Sequence, residues 1–514
     1  MFETAEMGHC IDAQRYEAEV PQLRSDLLDA QFDLVASRSF EVVIFIAGMD
    51  GAGKGDTVNM LNEWMDPRHI QTHAPGEPSE IDRERPPMWR YWQALPPKGT
   101  IGIFFDALYS EAITARVYDR IKNSELDQAL ERISRFETML VDEGALVLKF
   151  WLHLSKMLQK ERFELLEGNP QTSWRVNKQD WENHWHYAAY RRVAERALRQ
   201  TSSAEAPWTI IEGYDERYRN LTLATVLLQA LQHRFKEKVV IPQPLVPPET
   251  PDQDGVNVVN ALDLTASLSK KKYRKKLLRW QGRLNKLSRK KAFRRLSVVI
   301  VFEGSDAAGK GGCIRRLTRA LDARCYQVVP VAAPTDEEQA HPYLWRFWRH
   351  LPGKGKFVIF DRSWYGRVLV ERVENLCTAG DWMRAYGEIN DFEEQLIRNR
   401  TIVIKFWLAI SKEEQYRRFQ AREETPFKRF KITDDDWRNR QKWDQYEAAV
   451  CDMVERTSNE IAPWTLVPAN DKRYARVMIL KTIHERIAAE MKRIKGRDKS
   501  TQPLSVGRFY DAKI

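Results

Sequence analysis

At 514 residues the chain is too long for one ordinary domain, and length alone allows roughly two to four. Apolar residues make up 43% and charged residues 30%, as in a globular protein, and no run approaches the roughly 18 apolar residues of a membrane span. The net charge of +10 suits a polyanionic partner, while five cysteines without a CxxC spacing argue against a disulfide frame or a zinc site.

The opening MFETAEMGHC is acidic and has no apolar signal core, so the expected location is cytoplasmic, in keeping with reduced thiols. The first predicted strand, EVVIFIAG, runs into a glycine-rich turn, Gly48-Met-Asp-Gly-Ala-Gly-Lys-Gly55. Further strands are predicted at GTIGIFFD, GALVLKFWL and PWTIIEG, with amphipathic stretches between them. Short apolar runs of this kind fit a parallel sheet buried on both faces.

Residues 241–258, with IPQPLVPPETPDQDG at their start, are rich in proline and acid and are expected to form an exposed linker. Beyond them the first pattern returns in one register. Gly48 to Gly55 reappears as Gly304 to Gly311, Trp89-Arg-Tyr-Trp92 as Trp345-Arg-Phe-Trp348, Lys149-Phe-Trp-Leu152 as Lys405-Phe-Trp-Leu408, and Ala206-Pro-Trp-Thr209 as Ala462-Pro-Trp-Thr465. Four matches at one interval identify a duplication of a whole domain. Residues 1–240 and 259–514 are the expected copies, each α/β, with helices covering a parallel sheet.

A basic run from Lys270 to Arg295 opens the second copy. Tyr273, Leu277, Trp280, Leu284 and Leu287 recur at helical spacing, so it is read as an amphipathic helix with a solvated outer face or, alternatively, a landing strip for a long polyanion. No recognised binding module surrounds it, which disfavours nucleic acid as a partner. Then SVVIVFEGSDAAGKGGCIRRL gives strand, glycine-rich turn and helix start, the context that supports a phosphate-binding P-loop. Gly304, Gly309, Gly311 and Gly312 would let backbone N–H groups approach phosphate oxygens, and Lys310 would reach them as a point charge. The Ser or Thr that usually follows the lysine is glycine in both copies. Each loop carries an Asp instead, Asp50 and Asp306. Asp306 is expected to hold Mg²⁺ or to deprotonate an attacking phosphate, unless it simply caps the helix.

The predicted strand Phe357-Val-Ile-Phe-Asp361 ends in the second candidate metal carboxylate. It continues as Asp361-Arg-Ser-Trp-Tyr-Gly-Arg-Val-Leu-Val-Glu-Arg-Val373. With the GSDAAGKGG loop, Phe406-Trp-Leu-Ala-Ile-Ser-Lys-Glu-Glu-Gln415 and Ala462-Pro-Trp-Thr…Asp471-Lys-Arg-Tyr474, this segment strongly resembles the polyphosphate kinase 2 family in its two-domain form. The resemblance implies tandem P-loop kinase-like domains with mobile helical lids, Mg²⁺, and transfer of a phosphoryl group between inorganic polyphosphate and nucleotides, here AMP giving ADP. Arg362 and Arg367 would offer forked donors to phosphate, and Glu371 would contact the acceptor or a metal-bound water. By the same resemblance, Arg418, Arg422, Lys428 and Lys431 are lid cations contacting polyphosphate.

Aligning Asp106 with Asp361, with one deletion before Tyr109, pairs Ala107 with Arg362, Glu111 with Arg367 and Ala115 with Glu371. In the lid, Leu166 replaces Arg422, Thr172 replaces Lys428 and Ser173 replaces Arg429. The first copy is therefore expected to be degenerate, bracing its partner or binding phosphate without turnover. The second is expected to be a polyphosphate:AMP phosphotransferase. Its rivals are a kinase acting on ADP or GDP, an ATP-dependent nucleoside monophosphate kinase, and a non-catalytic polyanion-binding protein; a homo-oligomer stays open.

Overall fold

The computed structural model describes residues 1–236, 257–425, 432 and 434–497. Among the described residues each copy shows five strands. β1 (Val42–Gly48), β2 (Ile70–His73), β3 (Ile101–Phe105), β4 (Leu146–His153) and β5 (Trp208–Glu212) form one sheet in the order β2-β3-β1-β4-β5. β6 (Ser297–Gly304), β7 (Tyr326–Pro330), β8 (Phe357–Asp361), β9 (Thr401–Ala409) and β10 (Trp464–Pro468) repeat that order as β7-β8-β6-β9-β10. All pairings are parallel. Every residue of β1 and of β9 is buried, as expected for strands covered on both faces by helices. The doubly wound α/β expectation is met in both copies. Of the expected linker, only Asn257 and Val258 belong to the described residues.

Two of the repeated motifs and the DRSWY segment meet at one buried node. Lys405, wholly buried in β9, pairs with Glu393 at 2.7 Å and donates to the Tyr365 hydroxyl at 2.9 Å and to Thr457 O at 2.7 Å. Tyr365 also donates to Glu393 at 2.7 Å, and Trp464 Nε1 donates to Thr457 Oγ1 at 2.9 Å. The lysine of KFWL therefore ties the tyrosine of DRSWY to the segment that leads into APWT. The first copy keeps the core of this arrangement, with Lys149 on Glu137 at 2.9 Å and Trp208 Nε1 on Thr201 Oγ1 at 2.9 Å.

The WRYW and WRFW motifs join the copies. Trp92 and Trp348 occupy equivalent places and stack on each other, ring centroids 5.4 Å apart at 14°. Arg135 pairs with Asp391, its own counterpart in the repeat, at 2.5 Å. Equivalent residues facing each other define a pseudo-two-fold axis, so the two copies meet as the halves of a symmetric dimer would. Glu143 of the first copy crosses the same seam to Arg384 at 2.8 Å. One apolar core runs through both copies.

Breaking the buried node should be costly, because it strands a charge. Glu393→Gln is expected to lower stability by about 3–5 kcal/mol, read as a lower urea midpoint. The double variant Lys405→Met/Glu393→Leu should lose less than either single change. Equal midpoints for wild type and Glu393→Gln would remove the node from the account.

Candidate active site

The loop between β6 and the Lys310–Thr318 helix is shaped by contact with β9. Gly304 has φ 148°, and a Cβ there would lie 2.6 Å from Leu408 O, so only glycine permits the approach. Gly309, at φ 112°, caps the helix in the left-handed region. Lys310 bends back to Gly304 O at 2.6 Å. Asp306 is held on both oxygens, by Arg362 at 3.3 Å and by Asn439 Nδ2 at 2.9 Å, while Gln415 donates to its carbonyl at 3.2 Å. Asn439 lies on the Asp434–Gln441 helix, so this carboxylate hooks the lid region to the loop. Asp361 ends β8, and its Oδ2 is 3.9 Å from the position a Cβ of Gly311 would take.

Two lobes of a single crevice meet at Asp306, Lys310 and Arg362. One lobe, of about 920 Å³, is lined by apolar and aromatic side chains that include Val259, Leu369, Trp443, Tyr446 and Val450. The other is cationic, with Arg315, Arg417, Arg422, Lys472 and Arg476 on its walls and Asp361 at its floor. Burial lowers the Lys472 pKa to about 8, and the neighbouring Arg418 and Arg476 press in the same direction. Among the described residues no cluster of three or more metal-type side chains occurs. Two carboxylates facing a phosphate site fit a hard divalent cation that completes its shell with substrate oxygens and water.

The structure brings Gly304, Asp306, Gly309, Lys310, Gly311, Gly312, Asp361, Arg362, Arg418 and Arg422 to this crevice. It does not bring Arg367 and Glu371 there. They pair with each other at 2.7 Å, and Arg367 lies over the Tyr343 ring and faces Glu143 of the first copy at 3.7 Å. Arg418 lines the cationic lobe and is also tied to the loop. Only 3% exposed, it donates to the carbonyls of Ala307, Ala308, Ala469 and Asn470, bracketing the loop from beneath. Lys428 and Lys431 lie outside the described residues.

Glu303 was not expected in the site. It precedes the loop, is buried, lines the apolar lobe and accepts from Ser363 Oγ at 2.8 Å. Burial raises its pKa from 4.5 to about 7, against the opposing pull of Lys310. An acid immediately before the loop, where the first copy has Ala47, was the signal available in the sequence.

The strand registers also correct the alignment of the copies. Ile46 pairs with Phe105, and its counterpart Phe302 pairs with Asp361. Asp106 N donates to Ile46 O and Arg362 N to Phe302 O, both at 3.0 Å, and both residues are left-handed. Phe105 therefore stands where Asp361 does and Asp106 stands where Arg362 does, with no deletion; Ala107 matches Ser363. The result is an inversion of charge. Asp106 pairs with Lys54 at 2.7 Å and Asp50 adds a second contact at 3.4 Å. Burial opposes the charge on Lys54, but the two carboxylates outweigh it and lift its pKa above the ordinary lysine value. Arg219 crowds the same loop, with Nη1 2.1 Å from the position a Cβ of Gly53 would take, and donates to Gly213 O at 2.9 Å. Gly213 corresponds to Ala469, so Arg219 takes over part of the bracket that Arg418 provides in the second copy.

The polyphosphate kinase 2 family model matches residues 10–239 and 267–495. The polyphosphate:AMP phosphotransferase of Pseudomonas aeruginosa is 56% identical over 96% of this chain and 100% of its own length. That of Pseudomonas syringae pv. tomato is 51% identical over 94% of this chain and 98% of its own length. A solved polyphosphate kinase 2 structure from P. aeruginosa PA01 superimposes with a TM-score of 0.87 at 54% identity, covering 96% of this chain and 99% of the other.

The raised pKa of Glu303 gives a sign for pH dependence. The folded state holds its proton to higher pH than the unfolded state, so its contribution is intact below 4.5 and is lost as pH rises through about 7. Glu303→Gln should match the melting temperature of the wild type at pH 4.5 and exceed it at pH 8, in chelator and without nucleotide. A gap that is the same at both pH values would show that Glu303 ionises as it does in water.

Proposed function

The chain belongs to the polyphosphate kinase 2 family in both of its copies, and we propose that the second copy transfers the terminal phosphate of inorganic polyphosphate to AMP, giving ADP. The observation that carries this reading is the joining of an apolar, aromatic lobe to a cationic lobe at the phosphate loop. A nucleoside fits the first and a chain of phosphates the second, and the reacting groups meet between them.

In this reading Arg315, Lys472, Arg476 and Arg422 carry the donor chain, and the backbone of residues 307–312 cradles its end with Lys310. Arg362 reaches from the mouth of the apolar lobe to the phosphate that is transferred and stabilises the charge that develops on its oxygens. The second pKa of a phosphate monoester is about 6, so the AMP phosphate is already a dianion at neutral pH and needs no general base. Asp306, held on both oxygens, therefore acts by position: it fixes Arg362 and joins loop to lid through Asn439. Asp361 and Asp306 would hold Mg²⁺, which when bound neutralises charge between the two phosphates.

The first copy serves as a brace. Asp106 and Asp50 already neutralise its loop lysine, and its surface completes the core and the Arg384 seam of the second. The five thiols are all free, as suits a reducing cytoplasm.

AMP, long-chain polyphosphate and Mg²⁺, with no ATP, should yield ADP. Lys310→Ala and Arg362→Ala are each expected to lower the rate at least about 100-fold, as loss of a donor to transition-state charge does elsewhere. Lys54→Ala should retain it within about threefold, since Lys54 lines neither lobe of the crevice. Activity only with ATP, or loss of turnover in Lys54→Ala alone, would contradict the assignment.

A further inference from the structure

The Lys270–Ser288 helix carries nine lysines and arginines and not one acid. Lys270, Lys271 and Lys272 sit in its first turn, where the positive end of the helix dipole disfavours them. Lys271 and Lys275, and likewise Lys272 and Lys276, are like charges one turn apart, which destabilises a helix. None of the nine has a carboxylate partner among the described residues, and Lys270, Lys271, Lys272, Arg274, Lys275 and Lys276 are all exposed. The apolar stripe, including Leu284 and Leu287, explains how the helix packs. It does not explain this charge.

Hydrogen bonds fix where the helix points. Gln281 Nε2 donates to Arg316 O at 2.8 Å and Asn285 Nδ2 to Ala320 O at 3.0 Å. Both segments advance four residues between these contacts, so the Lys270–Ser288 and Lys310–Thr318 helices run in the same sense and the turn at Leu277 is level with Gly312 of the phosphate loop. The Lys472–Arg497 helix is matched in the same sense, with Arg473 Nη1 on Leu268 O at 3.1 Å and His484 5.4 Å from the Trp280 ring. The six basic residues at the start of the Lys270–Ser288 helix therefore lie beside and beyond the loop. They continue from the wall where Lys472, Arg476 and Arg315 line the cationic lobe.

The first copy supplies an internal control. Its Ala13–Ser37 helix holds the same place, packed on Glu216–Lys236 as Lys270–Ser288 packs on Lys472–Arg497. That helix bears two arginines, Arg15 and Arg24, against five acids, Glu17, Glu19, Asp26, Asp29 and Asp33. The backbone position does not require cations. They accumulate only beside the loop whose lysine is not already neutralised by its own domain.

We propose that the N-terminal half of the Lys270–Ser288 helix is an accessory binding surface for the distal part of the polyphosphate chain whose end occupies the cationic lobe. This rests on the reading of the donor given above. The six cations from Lys270 to Lys276 span about 9 Å of helix beside and beyond the loop, so they engage chains that extend past it and not donors confined to it. Exposed lysines are hydrated point charges that need no particular ligand geometry, which suits a uniform, flexible polyanion. Its contribution is to hold the chain after each transfer and to raise the apparent affinity for long donors.

The test is the full-length variant Lys270→Gln/Lys271→Gln/Arg274→Gln/Lys275→Gln, compared with wild type on long-chain polyphosphate and on tetrapolyphosphate as donor or competitive inhibitor. KM for the long chain should rise about tenfold and its dependence on salt should flatten, as expected when several screened contacts are removed. The tetrapolyphosphate constant, the KM for AMP and kcat should be unchanged. An unchanged long-chain KM, or the same rise with tetrapolyphosphate, overturns the proposal. Direct binding of labelled long-chain polyphosphate without nucleotide separates it from the reaction: an enzyme inactive on AMP that still loses this binding in the variant would sink the catalytic reading and keep the surface. Stronger binding of single-stranded RNA than of polyphosphate at equal charge, lost in the same variant, would assign the surface to RNA and overturn the proposal.

Discussion

Cations must be held close to one another before the anion that joins them arrives. Lys310, Arg362, Arg315, Lys472 and Arg476 converge on one lobe, where burial first and then Arg418 and Arg476 lower the pKa of Lys472. Such an array persists only on a rigid frame. Arg418 supplies part of it by tying the loop carbonyls to those at the end of β10. The buried Lys405–Glu393 pair supplies another part by fixing the segment that follows Asp361 and Arg362. The close contact of Gly304 with β9 sets the height of the loop above the sheet.

The two copies share their backbone and differ in charge at the loop. Strand order, loop and lid hook are shared, down to Asn183 on Asp50 at 2.8 Å matching Asn439 on Asp306. What differs is charge. Arg362 becomes Asp106, Glu303 becomes Ala47 and Arg422 becomes Leu166, and the loop lysine of the first copy finds its counter-charge inside its own domain. At the seam, duplication allowed residues that face their own counterparts to diverge. Arg135 against Asp391 is an attraction that two identical copies could not make.

Much of this was legible in the sequence. The strands announced themselves as short apolar runs, and the GSDAAGKGG loop and Asp361 fell where strand–turn–helix reasoning put them. The repeated motifs were visible, but their purpose was not. KFWL and APWT recur because they build a buried node, which the tyrosine of DRSWY joins in the second copy, and WRYW and WRFW recur because they meet across the seam. Arg367 and Glu371 lie close to Asp361 in sequence, yet a short helical turn rotates them toward Tyr343 and Glu143, which proximity in sequence cannot reveal. A slip of one residue at Asp106 hid the charge inversion, because matching like to like is misleading where evolution has replaced Arg with Asp. Arg418 and Arg422 share a helix and a spacing. Both line the cationic lobe, and only the packed structure shows that Arg418 also brackets the loop.

The central claim is the division of the crevice into an apolar lobe for the nucleoside and a cationic lobe for the phosphate chain. Calorimetric titration of the full-length protein with AMP and, separately, with polyphosphate tests it most directly. Trp443→Ala should weaken AMP and leave polyphosphate unchanged, while Arg476→Gln should do the reverse. Equal losses of both ligands in both variants, or the opposite pattern, would contradict the division.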